Sequence, residues 1–188
     1  MVKMEFFFDC SSPWTYLAFS RIQSIIEKYP LEVIWKPILV GGVFNEVNDE
    51  IYAQRANPNP LKFKYSRKDM QDWAELSNII IKWPSIFPVN AVKMMRIAFI
   101  AIEEDCLVPY ATKCFKSYWE EDKDVSNDNI ILESLSARST DTTDILLSAS
   151  SNIQNGFMGG IIVSIYDLSL IHISEPTRLL SIAFAVLS

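Results

Sequence analysis

Three cysteines, a single histidine and no apolar run of bilayer length are the first shortages in this 188-residue sequence, and each removes a class of function. Cys10, Cys106 and Cys114 are odd in number and contain no Cys-x-x-Cys pair. That argues against a disulfide framework, a dithiol redox centre and a zinc site, so no metal is expected, and it fits a reducing compartment. A helix needs about 20 apolar residues to span a membrane, and no stretch reaches that length, so no membrane partner is expected. Positive charge is also short: 17 basic against 23 acidic residues give a net charge of −6 and a pI near 4.8. Phosphate backbones are bound by clustered Lys and Arg, so no nucleic-acid partner is expected. The chain enters strand-like sequence at once, without a leader of basic start, apolar core and cleavage site, and a cytoplasmic location, or an organelle interior, is expected. With only His172 available, a Ser-His-Asp site is unsupported.

What is present suits a globular chain. The length fits one domain, or one domain with an insertion, and 49% hydrophobic residues can bury a sizeable core. Residues 4–8 form a short apolar run that predicts a strand covered on both faces. From Pro13 the apolar residues Leu17, Ile22, Ile25 and Ile26 recur at near-helical spacing, and Pro30 should end that helix at or before Tyr29. Residues 31–36 read as a second strand, with a right-handed crossover if the pair is parallel. Residues 37–60 show no clear period and contain Gly41-Gly42 and Asn57-Pro58-Asn59-Pro60, predicting a long ordered loop over the site.

Helical periodicity then dominates. It predicts a helix over 63–81 that buries Met70, Trp73, Ala74 and Leu76, and one over 91–104 capped by Asn90 with Val92, Met95, Ala98, Phe99 and Ile102 as its apolar stripe. Further helices are expected from Pro109 to about residue 121, after a cap at Ser126 or Asn127, and over about 144–154.

The chemistry concentrates at Asp9-Cys10-Ser11-Ser12-Pro13-Trp14-Thr15-Tyr16-Leu17, where a strand ends, turns and opens a helix. Ser12 suits the N-cap and Pro13 the first helical position, which needs no N–H. The positive end of the helix dipole would then favour an anion such as a thiolate beside Ser12. Read from the residues alone, Ser12 is either that anion-binding group or a simple helix cap. Cys10 reads as a small buried residue at a strand end. Lys62, Lys64, Arg67 and Lys68 read as a solvated helix face, Trp73 as a helix-face anchor, and Arg96 as a polar residue beside an apolar stripe.

This turn resembles that of DsbA-type thioredoxin-fold oxidases, with both cysteine positions of their motif replaced by the hydroxyls of Ser12 and Thr15. The pattern Asp-x-x-Ser-Pro-aromatic-Thr-Tyr-Leu is similar to the glutathione-dependent branch of that superfamily, the 2-hydroxychromene-2-carboxylate isomerases and kappa-class glutathione transferases. Supporting matches include Val33-Ile34-Trp35-Lys36-Pro37, Gly41-Gly42-Val43-Phe44-Asn45, Asp69 with Trp73-Ala74, and Phe87-Pro88-Val89-Asn90 followed by Met95-Arg96. The resemblance implies an α/β thioredoxin-like fold with a helical insertion over about 63–150, in a domain spanning 1–160.

It also implies glutathione as cofactor and Ser12 as the catalytic, sulfur-binding residue. Asn57 and Pro58 would contact glutathione, and Phe44 and Asn90 would line the substrate pocket. As bare residues these last four read equally as a turn, a core aromatic and a helix cap. The implied activity is isomerisation of a 2-hydroxychromene-2-carboxylate-like aromatic compound by reversible thiolate addition. A kappa-like transferase and a non-catalytic truncated binding protein are the alternatives, and a homodimer is left open.

The resemblance fades at the C-terminal end. The family closes with a Gly-x-x-Gly-x-Pro-Thr segment whose cis proline faces the catalytic turn; here residues 156–161 read Gly-Phe-Met-Gly-Gly-Ile. A non-proline cis bond costs about 2.5–4 kcal/mol, so the bond before Ile161 is expected to be trans. Residues 168–178 look like translated sequencing adapter, so 161–188 is expected to be an artefactual tail and the closing strands incomplete.

Overall fold

The computed structural model of the chain describes residues 2–47, 56–135 and 185–187. β1 (Val2–Phe8) and β2 (Leu31–Pro37) pair in parallel, Val2 opposite Leu31 through Phe8 opposite Pro37, joined by α1 (Pro13–Lys28). This is the predicted strand-helix-strand unit. Tyr29 caps α1 in an extended conformation, as the proline after it requires. The short β3 (Ala185–Leu187) pairs antiparallel with β1, giving the order β2-β1-β3. It falls within the stretch read from sequence as an added tail.

The side chains of β1 alternate between two environments, as the two-residue period of a strand demands. Met4, Phe6 and Phe8 enter the main core, where Trp35 meets Phe6, Phe8 and Phe19 at ring-centroid distances of 5.3, 6.2 and 5.6 Å. On the other face Lys3 and Glu5 pair with Glu32 and Lys36, and only Phe7 is covered. The expectation of burial on both faces therefore holds only at the end of the strand that leads into the turn.

A helix, α2 (Val40–Val47), lies where sequence predicts a loop. Val40, Val43 and Phe44 have helical spacing, but each glycine of Gly41-Gly42 disfavours a helix by about 1 kcal/mol relative to alanine. What offsets that is tertiary. The Asp9 carboxylate accepts the Val40 N–H at the helix start, and Val40 and Phe44 pack with Phe7 and Ile38 into a minor cluster.

α3 (Pro60–Leu76) begins with Asn59, whose Oδ1 accepts the N–H groups of Leu61 and Lys62. It stops five residues short of the predicted end because Asn78 is left-handed, with φ 53°. The Asn78 N–H bonds the Glu75 carbonyl and the Ile79 N–H that of Ala74, the pairing of a Schellman stop. Met70 and Ala74 are buried as expected. Trp73 and Leu76 are not, at 39% and 73% exposed; the Trp73 ring is only partly covered, by the Arg21 guanidinium of α1 at 5.2 Å from its centroid.

α4 (Val92–Glu103), α5 (Leu107–Trp119) and α6 (Asp128–Leu135) follow. The buried stripe of α4 is wider than predicted. Met94, Met95, Ile97, Ala98 and Ala101 are enclosed, whereas Phe99 and Ile102 are half-buried. The helix expected over 144–154 and the 156–161 segment lie outside the described residues.

Candidate active site

The turn between β1 and α1 is built on Asp9. Its carbonyl accepts the Ser12 N–H at 3.0 Å, and its carboxylate Oδ1 accepts both the N–H and the Oγ–H of Ser11, at 2.8 and 2.7 Å. Oδ2 accepts the Val40 N–H at 2.8 Å. Asp9 is only 1% exposed; burial raises its pKa, and the Ser11 and Val40 donors act in the opposite sense by favouring the charged form.

Ser12 is the N-cap of α1, as predicted. Its Oγ accepts the Thr15 N–H at 3.3 Å, and Pro13 occupies the first turn, which contains no acidic residue. The cap bond uses an oxygen lone pair. The hydroxyl hydrogen of Ser12 is therefore left to donate to an incoming group, whereas that of Ser11 is already spent on Asp9. The serine singled out by sequence is the one with a donor to offer.

Behind the turn the core fixes Cys10. Its N–H approaches Met95 Sδ at 3.4 Å, and its carbonyl accepts the indole Nε1–H of Trp119 at 3.0 Å. Burial first, and the neighbouring Cys114 thiol second, push the Cys10 thiol well above its ordinary pKa. It is an inert packing group, as expected. Trp119 belongs to an aromatic wall with Tyr118, Trp83 and Phe87, at ring-centroid distances of 4.8, 6.2 and 6.4 Å. The Phe87–Pro88 bond is cis.

Two tyrosines lie close to the turn, and both hydroxyls are engaged. Tyr118 donates to the Ile86 carbonyl at 2.8 Å; burial raises its pKa and the Val89 N–H opposes this. Tyr16 stacks on Phe115 and donates to Glu120 Oε1 at 2.5 Å, and burial followed by the Glu120 carboxylate raises its pKa.

The other predicted site residues lie on α2, just ahead of α3 and just ahead of α4. Phe44 is half-buried in the minor cluster with Phe7. Asn57 and Pro58 are exposed just before the Asn59 cap of α3. Asn90 is exposed and its Oδ1 accepts the Val92 N–H at 3.1 Å, one residue earlier than a formal cap. Arg67 stacks over Phe63 and Trp83, and Lys68 pairs with Asp72, so part of the basic cluster is held by its own helix and the wall. Sequence reading did not identify Trp119 or Tyr118 at the site. Nothing local marks them, because their partners lie 109 and 32 residues away. Among the described residues no cluster suited to a metal ion occurs, and no helix is long and apolar enough to cross a membrane.

A parallel strand-helix-strand unit with a hydroxyl-bearing turn at the helix start, followed by a helical segment, defines a thioredoxin-like α/β domain. The chain belongs to the DSBA-like thioredoxin domain family, matching it over residues 3–155. It is 28% identical over 120 residues to a 2-hydroxychromene-2-carboxylate isomerase of Pseudomonas putida, covering 63% of this chain and 56% of that protein. A second protein of that name, from Pseudomonas sp. (strain C18), is 31% identical over 97 residues, covering 48% and 40%. The chain thus spans about half the length of the curated relatives it matches.

Two solved structures share the fold. A 2-hydroxychromene-2-carboxylate isomerase superposes with a TM-score of 0.66 at 22% identity, over 87% of this chain and 79% of the other. A probable DsbA oxidoreductase from Streptomyces coelicolor gives 0.67 at 10% identity, over 100% and 80%.

Proposed function

We propose that this protein is a glutathione-dependent isomerase of a 2-hydroxychromene-2-carboxylate-like aromatic compound. The observation that carries the reading is Ser12. Its oxygen is occupied by the Thr15 N–H, its hydroxyl hydrogen can still donate, and it sits at the positive end of α1. A thiolate is the kind of anion such a place favours, and the buried Cys10 cannot supply it. Both curated relatives carry the isomerase name, which supports the choice of reaction.

Bound there, glutathione supplies a sulfur nucleophile that can add to a conjugated double bond and leave again. The residues of this chain do the rest. Ser12 donates a hydrogen bond to the sulfur, the α1 terminus adds its partial positive charge, and Asp9 with Ser11 fixes the turn. Trp83 and the half-buried Phe87, backed by the enclosed Trp119, offer an apolar surface for a flat aromatic substrate. A fixed donor aimed at a charge commonly contributes about 3–4 kcal/mol. Three buried thiols with no disulfide among them suit the reducing cytosol as the place of action.

The test is a pH titration of thiolate absorbance with glutathione bound, together with product analysis on a hydroxychromene carboxylate. Ser12→Ala should raise the pKa of the bound thiol and slow isomerisation. An unchanged titration would remove Ser12 from this role. A stable glutathione conjugate of an aryl halide, with no isomerised product, would make the protein a transferase.

A further inference from the structure

Asp9 makes more bonds than a residue needed only to end a strand. One carboxylate oxygen takes two donors from Ser11, the other takes the first N–H of α2, and the backbone carbonyl takes the Ser12 N–H. These bonds join two segments that are separate in sequence, the turn after β1 and the helix start after β2, with Asp9 and Val40 31 residues apart. The Ile38 N–H, donating to the Phe8 carbonyl at 2.9 Å, extends the same seam by one more rung. Asp9 also engages the Ser11 hydroxyl, so that of two adjacent hydroxyls only that of Ser12 keeps an uncommitted hydrogen.

We propose that Asp9 is a positioning residue of the site: by holding Ser11 and Val40 together it sets the direction of the Ser12 hydroxyl and anchors α2 beside it. The sulfur-binding part of this inference rests on the reading of Ser12 given above. Asp9 is enclosed, at 1% exposure, and acts through the turn. A carboxylate is needed because it accepts on both oxygens. An amide of the same size offers one acceptor and must present N–H groups to Ser11 or to Val40.

Two measurements on Asp9→Asn test the proposal, one of which needs no ligand. The first is backbone amide hydrogen exchange. Thr15 N–H is bonded to Ser12 and not to Asp9, so it reports whether the turn has lost its set. Its exchange should accelerate at least about tenfold relative to Phe19 and Ile22 in the same helix, as expected for local rather than global opening. Acceleration that is uniform along α1, or confined to Ser11 and Val40, would overturn the positioning role.

The second is glutathione affinity by calorimetry in a double-mutant cycle with Ser12→Ala. Asp9→Asn should weaken binding about tenfold when Ser12 is present and less than about twofold when it is alanine, the non-additivity of residues acting as one unit. Equal losses in both backgrounds would show Asp9 to be merely structural. If Ser12→Ala alone leaves affinity unchanged, the sulfur-binding reading of Ser12 fails, and the Thr15 exchange result still decides whether Asp9 sets the turn.

Discussion

The indole N–H of Trp119 donates to the carbonyl of Cys10 across 109 residues of sequence, at 3.0 Å and with both residues at 0% exposure. This one bond ties the end of α5 to the turn that carries Ser12. It satisfies a carbonyl that would otherwise be buried without a partner, and it brings the aromatic wall against the site. The same residue closes a second junction, its own carbonyl accepting the Lys82 N–H at 2.7 Å.

Trp119→Phe keeps a ring in place but removes the donor. Leaving a buried carbonyl unsatisfied costs about 1–3 kcal/mol, so the denaturant midpoint should fall by that equivalent. The loss of indole volume adds to it. A midpoint within error of the parent would show that the Cys10 carbonyl has another partner.

Ser12 has two roles that substitution can separate. As an N-cap its replacement by alanine should cost about 1 kcal/mol of stability, and by glycine only a few tenths. As a sulfur ligand both replacements remove the same hydroxyl. Ser12→Gly should therefore be nearly as stable as the parent in thermal unfolding, yet bind glutathione as poorly as Ser12→Ala. Parallel losses of stability and binding would reduce Ser12 to its capping role.

Acid should loosen the wall. Asp122 accepts the Ser85 N–H at 2.6 Å and the Ser85 Oγ–H at 2.5 Å, and these bonds hold its carboxyl below the usual range. A depressed carboxylate contributes stability that is present above its unfolded pKa and is lost as pH falls through its folded value. Fluorescence of the tryptophans should thus change below about pH 4, the ordinary aspartate range. Asp122→Asn, which tolerates the positive φ of 56° at this position, should show the altered signal already at neutral pH and respond less to acid. An identical acid profile in the variant would assign the transition elsewhere.

The thiols should be silent in the folded protein. Cys10, Cys106 and Cys114 are all buried, and a nucleophilic thiolate at Cys10 is strongly disfavoured. An aromatic disulfide reagent should titrate none of them under native conditions and all three after unfolding in guanidinium. Rapid labelling of one thiol in the native state would contradict the burial of that residue.

Tyr16 ties the site helix to Glu120 at the end of α5. Removing its hydroxyl in Tyr16→Phe keeps the stack on Phe115 and should cost about 1 kcal/mol, since the carboxylate is partly solvated and regains water. The variant's stability should also become indifferent to a second change, Glu120→Gln. Additive losses would show that the two groups do not interact.

The first 37 residues were legible because their signals are local. Ser12 and Pro13 start a helix by their own chemistry, Pro30 ends it, and two apolar runs flank it. The α2 helix was not legible, since Gly41 and Gly42 argue against it and its stabilising partner, Asp9, is 31 residues earlier. The stop of α3 was written in Asn78, but asparagine becomes a helix stop only when its φ is positive, and that depends on how the following segment packs. Trp73 and Leu76 stay exposed although Met70 and Ala74 of the same helix are buried, because helical periodicity marks a face without saying what will cover it.

By itself the sequence determined where the reactive turn lies and that its cysteine positions hold hydroxyls, because a proline and an N-cap residue act within a few bonds of themselves. The Asp9 carboxylate engages the neighbouring Ser11 hydroxyl locally. The tertiary structure decided what holds that carboxylate in place, namely the Val40 N–H at the start of α2, 31 residues on. It also decided that Trp119 backs the turn. Hydrogen bonds between residues far apart in the chain follow from packing, which no local pattern encodes.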